Sequence, residues 1–220
     1  MLLVINCKNY TEVSSPKKLL QLADSALKRS KRYKVKIAIA PPPHMCAWLA
    51  LSSKIMVLAQ HVDIQNTGST TGYTIPEMLP RSNIAGSIIN HSEHRIPVSH
   101  IRDLVSRLSK LRLLSIVCAK NITESGKLAK FDPNFVAVEP PQLIGSGKSV
   151  SKHRPKTVSG SAEAVALAKN KTKLLCGAGI VTAQDVASAI NLGSSGILVA
   201  SGIVCAKNWE KVLDDFASQM

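Results

Sequence analysis

Three widely separated side chains, Lys8, His91 and Glu139, are of types that could do chemistry together. Glu139 closes the aliphatic run from Phe135 to Val138 and is followed by Pro140 and Pro141. A carboxylate at the end of a buried strand is costly unless it has a task or a partner. Burial would raise its pKa and make it a stronger base than a surface carboxylate. An ion pair with a nearby Lys or Arg is the alternative. His91 follows another apolar run, in Asn90-His91-Ser92-Glu93-His94-Arg95. At the start of a short helical turn it would sit near unpaired backbone N–H groups. Those groups disfavour imidazolium and favour a neutral ring that can donate to a carbonyl. A structural histidine with its hydrogen bonds satisfied is the alternative. His91 and His94 have HxxH spacing, but no third metal ligand accompanies them. Lys8 stands just past the first apolar run, in Asn6-Cys7-Lys8. There it could meet an anion or be a solvated loop lysine.

Small residues form a second set. The fragment Gly147-Lys148-Ser149 invites a phosphate-loop reading. The first glycine of GxxxxGK[ST] would have to stand at position 142, which is Gln, and Pro155 interrupts the polar stretch that follows. A glycine-flanked loop folding over a mouth fits better, with Pro140 and Pro141 stiffening one hinge. Cys176-Gly177-Ala178-Gly179 and Ala200-Ser201-Gly202 either let backbone N–H groups approach a ligand or merely turn the chain.

Most of these residues stand at the end of a candidate strand or just past it. The runs are Leu2 to Ile5, Val35 to Ala40, Ile55 to His61, Ile84 to Asn90, Leu113 to Cys118, Phe135 to Glu139, Lys173 to Cys176, and Gly196 to Ala200. Most are continuously aliphatic, as strands buried on both faces are. Amphipathic stretches lie between most of them. Ser15 and Pro16 begin one, with Leu19, Ala23, Ala26 and Leu27 on one face. Pro97 opens another, striped by Ile101, Leu104, Val105, Leu108 and Leu111. Thr182 and Asp185 have capping-box spacing. Strand and helix alternating eight times predict a closed (β/α)8 barrel in one domain spanning 1–220, with trimmed helices and loops. An open doubly wound sheet is the structural alternative. In a barrel, function gathers at the C-terminal strand ends, and the loops after the last two strands often hold a phosphate.

Composition narrows the function classes. Lys plus Arg is 28 against 14 acidic residues, a net charge of +14. The densest basic stretch, Lys28 to Lys36, reads as a helix end and loop, where cations are favourable. We read the excess as a solvated surface rather than an anion-binding one. A nucleic-acid partner is disfavoured, because only three Phe, three Tyr and two Trp are present and no basic–aromatic motif appears. Five cysteines without CxxC spacing suggest free thiols in a reducing compartment. No segment has the ~20 apolar residues of a membrane span. A cytoplasmic protein is expected.

Taken in order, these pieces resemble the triosephosphate isomerase family. The matches are Asn6-x-Lys8, Asn90-His91-Ser92-Glu93, Val138-Glu139-Pro140 leading to Ile144-Gly145-Ser146-Gly147, Gly177-Ala178-Gly179, and Ala200-Ser201-Gly202. Gln60-His61-Val62-Asp63 followed by Gly68-Ser69-Thr70-Thr71-Gly72 resembles the family's long third loop. The short chain and its Cys-Gly-Ala-Gly motif are similar to the archaeal branch. The resemblance implies a TIM barrel that interconverts dihydroxyacetone phosphate and D-glyceraldehyde 3-phosphate in glycolysis and gluconeogenesis, through an enediolate and without cofactor or metal. Glu139 would be the base, His91 the neutral electrophile, and Lys8 the cation that stabilises the enediolate. Asn6, Lys8, Ile144, Gly145, Gly179, Ala200 and Ser201 would bind substrate, with Ser92 and Glu93 in support. A closing lid would keep water from the enediolate phosphate. A homodimer or homotetramer through the loop from Gly68 to Gly72 is also implied. Another phosphate-binding barrel, such as a phosphoribosylanthranilate isomerase, would share the late glycines but not need the Asn-x-Lys, histidine and glutamate together.

Overall fold

Strands with no polar face need cover on both sides, and each aliphatic run finds a parallel neighbour on each edge. The strands are β1 Leu2–Asn6, β2 Lys36–Ala40, β3 Met56–Val57, β4 Gly86–Ile89, β5 Leu114–Ala119, β6 Phe135–Val138, β7 Lys173–Cys176 and β8 Gly196–Val199. The computed structural model describes residues 1–140, 151 and 154–220. In it the strands run in the order β3-β2-β1-β8-β7-β6-β5-β4. Backbone bonds then join the two ends. Ala85 N–H donates to Val57 O and Ala59 N–H to Gly86 O, both at 2.8 Å, and Ile88 N–H donates to Ala59 O at 2.9 Å. These bonds decide for a closed (β/α)8 barrel over an open sheet. The expected third strand, Ile55 to His61, contracts to Met56–Val57, because beyond it pairing survives only as the bridge from Ala59 to Ser87. The fourth stops before Asn90, whose left-handed backbone (φ 62°) leaves the sheet.

The helices are α1 Pro16–Tyr33, α2 Cys46–Ser52, α3 Val98–Lys110, α4 Ile122–Ala129, α5 Pro155–Ala166, α6 Ala183–Asn191, α7 Ser201–Val204 and α8 Trp209–Ala217. A 3-10 segment, Pro76–Ser82, stands where a helix would join β3 to β4. Ser15 Oγ accepts from Lys18 N–H at 3.3 Å, capping α1. The Thr182–Asp185 pair forms a reciprocal capping box on α6. Pro97 occupies the cap before α3 rather than its first turn. The basic stretch is mostly the last turns of α1, which runs to Tyr33 before Lys34 turns left-handed (φ 56°).

Side chains alternate across a strand with period two. Leu3, Ile5, Ile37 and Ile39 face outward and join one core with Leu19, Leu22 and Leu104 of the helices. Val4, Leu58, Ile88, Ala137, Leu175 and Leu198 form a second core inside the ring. One step of two further along those inward rows lie Asn6, Gln60, Asn90, Glu139, Gly177 and Ala200. The period that fills the barrel therefore also assigns the residues of its C-terminal mouth.

Candidate active site

β1 delivers Asn6 to the mouth, buried at 5% exposure. Its Oδ1 accepts from Lys8 N–H at 3.0 Å. Lys8 has φ 44°, a sparsely populated conformation for a residue with a side chain. Gln60 holds that turn by donating Nε2–H to Lys8 O at 2.8 Å and to Ala40 O at 3.2 Å. The Lys8 ammonium reaches Glu93 Oε1 at 2.6 Å.

His91 is set by the residue before it. Asn90 is fully buried. It donates Nδ2–H to Cys118 O at 2.9 Å and accepts from Ile96 N–H at 3.1 Å. The segment after it is a single turn, closed by His94 N–H to His91 O at 2.8 Å, and not the start of a helix. One backbone donor does reach the ring, since Glu93 N–H donates to His91 Nδ1 at 3.2 Å. Glu93 Oε2 lies 3.6 Å from the same nitrogen, while the other carboxylate oxygen holds Lys8. An Nδ1 that accepts a hydrogen bond carries no proton, so a neutral ring keeps its proton on Nε2. That atom lies 3.5 Å from Glu139 Oε2.

Glu139 extends β6 by one residue, and its N–H donates to Ala119 O at 2.8 Å. It is buried at 5% exposure. Its Oε2 has no hydrogen-bond partner among the described residues. Opposite it, Ala178 (φ 49°) and Gly179 (φ 71°) turn the chain after β7. Gly202, in the first turn of α7, packs so tightly that a Cβ there would lie 2.4 Å from Ile180 O. Ser201 and Gly202 begin α7, so their N–H groups have no acceptor within the helix. These residues share one pocket with Asn6, Lys8, His91 and Glu139. A carboxylate, an imidazole N–H, an ammonium and backbone donors without an acceptor in their own helix thus surround one small space. Such a set can move a proton on a carbon beside a carbonyl while backbone donors hold an anionic end.

The triosephosphate isomerase family profile matches residues 1–216. The chain belongs to the triosephosphate isomerase family. It is 45% identical over 218 residues to the triosephosphate isomerase of Cenarchaeum symbiosum, covering 99% of this chain and 97% of that one. It is 39% identical over 219 residues to that of Methanothermus fervidus, covering 100% and 98%. With that of Methanocaldococcus jannaschii it shares 40% over 213 residues, 97% of each chain.

Of the residues expected at a triosephosphate isomerase site, Asn6, Lys8, His91, Glu139, Gly179, Ala200 and Ser201 meet in this pocket. Ile144 and Gly145, with Pro141 and the rest of the expected lid, lie outside the described residues. Glu93 lies beside the pocket and reaches it through Lys8. Ser92 Oγ is buried without a partner among the described residues and does not line the pocket. His94 stacks on His61, with ring centroids 3.8 Å apart, and does not pair with His91. Burial, then the neighbouring His94, lowers the pKa of His61. Gln60 and Gly177 were not anticipated as site residues. The period-two rows through Leu58 and Leu175 could have found both as mouth residues. Only the packing of β6 on β7 reveals that Gly177 adjoins Glu139.

Proposed function

We propose that this chain is a triosephosphate isomerase, with residues 1–220 acting as one catalytic domain that interconverts dihydroxyacetone phosphate and D-glyceraldehyde 3-phosphate. Glu139 removes a proton from one substrate carbon and returns it to the next. His91 Nε2–H polarises the carbonyl and passes a proton between the two oxygens. Lys8 stabilises the enediolate's negative charge, and Asn6 contacts substrate. Backbone N–H groups around Gly179, Ala200 and Ser201 hold the phosphate, joined by Ile144 and Gly145 of the lid. Glu93 orients Lys8 and, through its N–H, the His91 ring. Proton transfer and preorganised donors suffice for this reaction, and a single donor aimed at a developing oxyanion is worth ~3 kcal/mol.

The observation that carries this reading is the placement of Glu139. A buried carboxylate oxygen without a hydrogen-bond partner among the described residues lies 3.5 Å from His91 Nε2, in the pocket that also contains Lys8. An ion pair with a nearby Lys or Arg, the alternative open from sequence, would bring a cation to that oxygen, and no Lys or Arg among the described residues bonds it. A coupled assay for isomerisation of D-glyceraldehyde 3-phosphate tests the activity. Its absence in pure, folded protein would sink the reading.

The same proposal extends to assembly and location. The loop from Gly68 to Gly72 is exposed throughout, and Tyr73 beside it is 50% exposed. Asp63 pins its base, accepting from Thr74 N–H at 2.7 Å through its side chain. An exposed loop pinned at its base supports a homodimer or homotetramer, to be measured by light scattering on the Tyr73→Asp variant. Among the described residues no helix is long and apolar enough to cross a membrane. The five free cysteines support a cytoplasmic location.

A further inference from the structure

Gly177 is a glycine for which the backbone makes no demand. Its φ lies outside the left-handed region. Its N–H donates to Val138 O at 3.0 Å as an ordinary continuation of the ladder. β6 and β7 pair with Val138 opposite Cys176, so the next residues, Glu139 and Gly177, lie side by side. An ideal Cβ on Gly177 would stand 2.3 Å from Glu139 Cγ, 2.7 Å from its Oε1 and 2.8 Å from its Cδ. Carbon atoms in contact prefer ~3.5–4.0 Å, so the overlap is severe. All three atoms belong to one side chain, and no backbone atom is among them. The volume that a residue at 177 would fill is the volume the carboxylate arm occupies.

We infer that Gly177 is a positioning residue for the base: by lacking a side chain it reserves the space that sets where the Glu139 carboxylate stands. The inference rests on Glu139 being the base. It explains how a carboxylate with one oxygen unbonded among the described residues keeps its place. Shape on the β7 side does what a hydrogen bond would otherwise do, and leaves that oxygen free to take a proton. A methyl group at 177 displaces the arm toward the mouth while the ladder stays intact, because a flexible side chain yields before paired backbone does.

The test is steady-state kinetics on Gly177→Ala, Glu139→Gln and the double variant, with thermal unfolding of each. A displacement of ~1 Å of a reacting group can cost ~100-fold, so Gly177→Ala should lose about that factor in kcat with KM changed less than about threefold. Its melting temperature should stay at the wild-type value. In the Glu139→Gln background the same substitution should cost nothing more, since the residual rate no longer depends on a carboxylate's position. Three results would overturn the inference: wild-type kcat for Gly177→Ala, a loss that appears in KM or melting temperature instead, or an equal loss in the Glu139→Gln background. The last two would assign the glycine to phosphate binding or to the chain. If Glu139→Gln alone retains wild-type turnover, it is the assignment of the base that fails, whatever Gly177→Ala does.

Discussion

The two sides of the barrel mouth are held by opposite means. On the side built from β1, β3 and β4, functional groups are tied by hydrogen bonds. Asn6 and Gln60 clamp the strained turn at Lys8, and Asn90 anchors the segment that carries His91. On the side built from β6, β7 and β8, small residues replace bonds. Gly177 packs against Glu139, and Ala178, Gly179, Ala200 and Ser201 line the same pocket as a carboxylate with one oxygen unbonded among the described residues. The difference follows from chemistry. A donor to a carboxylate stabilises its charged form and weakens it as a base. A cation and an imidazole can be fixed through their backbones and far nitrogens without that loss. The donating side can therefore be rigidly bonded, and the accepting side has to be shaped.

If this contrast holds, substitutions on the two sides should fail differently. The largest effect is expected for Glu139→Gln. Losing general-base catalysis should lower kcat about a thousandfold. No hydrogen bond to Oε2 from the described residues is lost, so thermal unfolding should shift little; a large destabilisation would mean that the shaped side is bonded after all. Asn90→Ala should hurt stability and activity together. It strips partners from Cys118 O and Ile96 N–H and leaves Ala at φ 62°. A loss of about 2–3 kcal/mol in denaturant unfolding is expected, along with reduced kcat as His91 loses its anchor. Unchanged stability would break the claim that this side is held by bonds.

Away from both sides, Thr182→Ala removes the cap of α6 and should cost about 1 kcal/mol with kinetics unchanged. The smallest effect concerns Arg107. It bonds Glu77 through two nitrogens and also donates to Ile64 O and Gln65 O, which ties the third loop to α3. The Arg107 bond holds the Glu77 carboxyl below its ordinary range. A carboxylate depressed in the folded state stabilises above its unfolded pKa, and that contribution fades as pH falls through the folded value. The acid limb of the stability profile, below about pH 4.5, should therefore flatten in Arg107→Gln. The pair is partly exposed, so the effect should be at most about 1 kcal/mol. An acid limb identical to wild type would remove Glu77 from the bonded framework.

Much of the fold was legible because its signals are local. Continuous aliphatic runs marked the strands, and Ser15 with Pro16 and Thr182 with Asp185 marked helix starts to the residue. Strand ends then pointed to Asn6, Lys8, His91 and Glu139. The same reasoning overextended the third strand, since Leu58 to His61 is apolar enough to read as strand although only Ala59 still pairs. The HxxH spacing of His91 and His94 lacked a third ligand, and the turn directs His94 onto His61. Ser92 came in support only through the family resemblance, and it is not among the residues that line the pocket.

By itself the sequence determined which residues end strands, where helices are capped, and which side chains could act as acid, base or cation. Each of these depends on atoms within a few residues. The tertiary structure decided that the ring closes between β3 and β4, that Gln60 supports Lys8, and that Gly177 must leave room for Glu139. Those outcomes depend on the register between strands dozens of residues apart in the chain. Steric exclusion acts at the point of contact, and no local pattern records where two strands will touch.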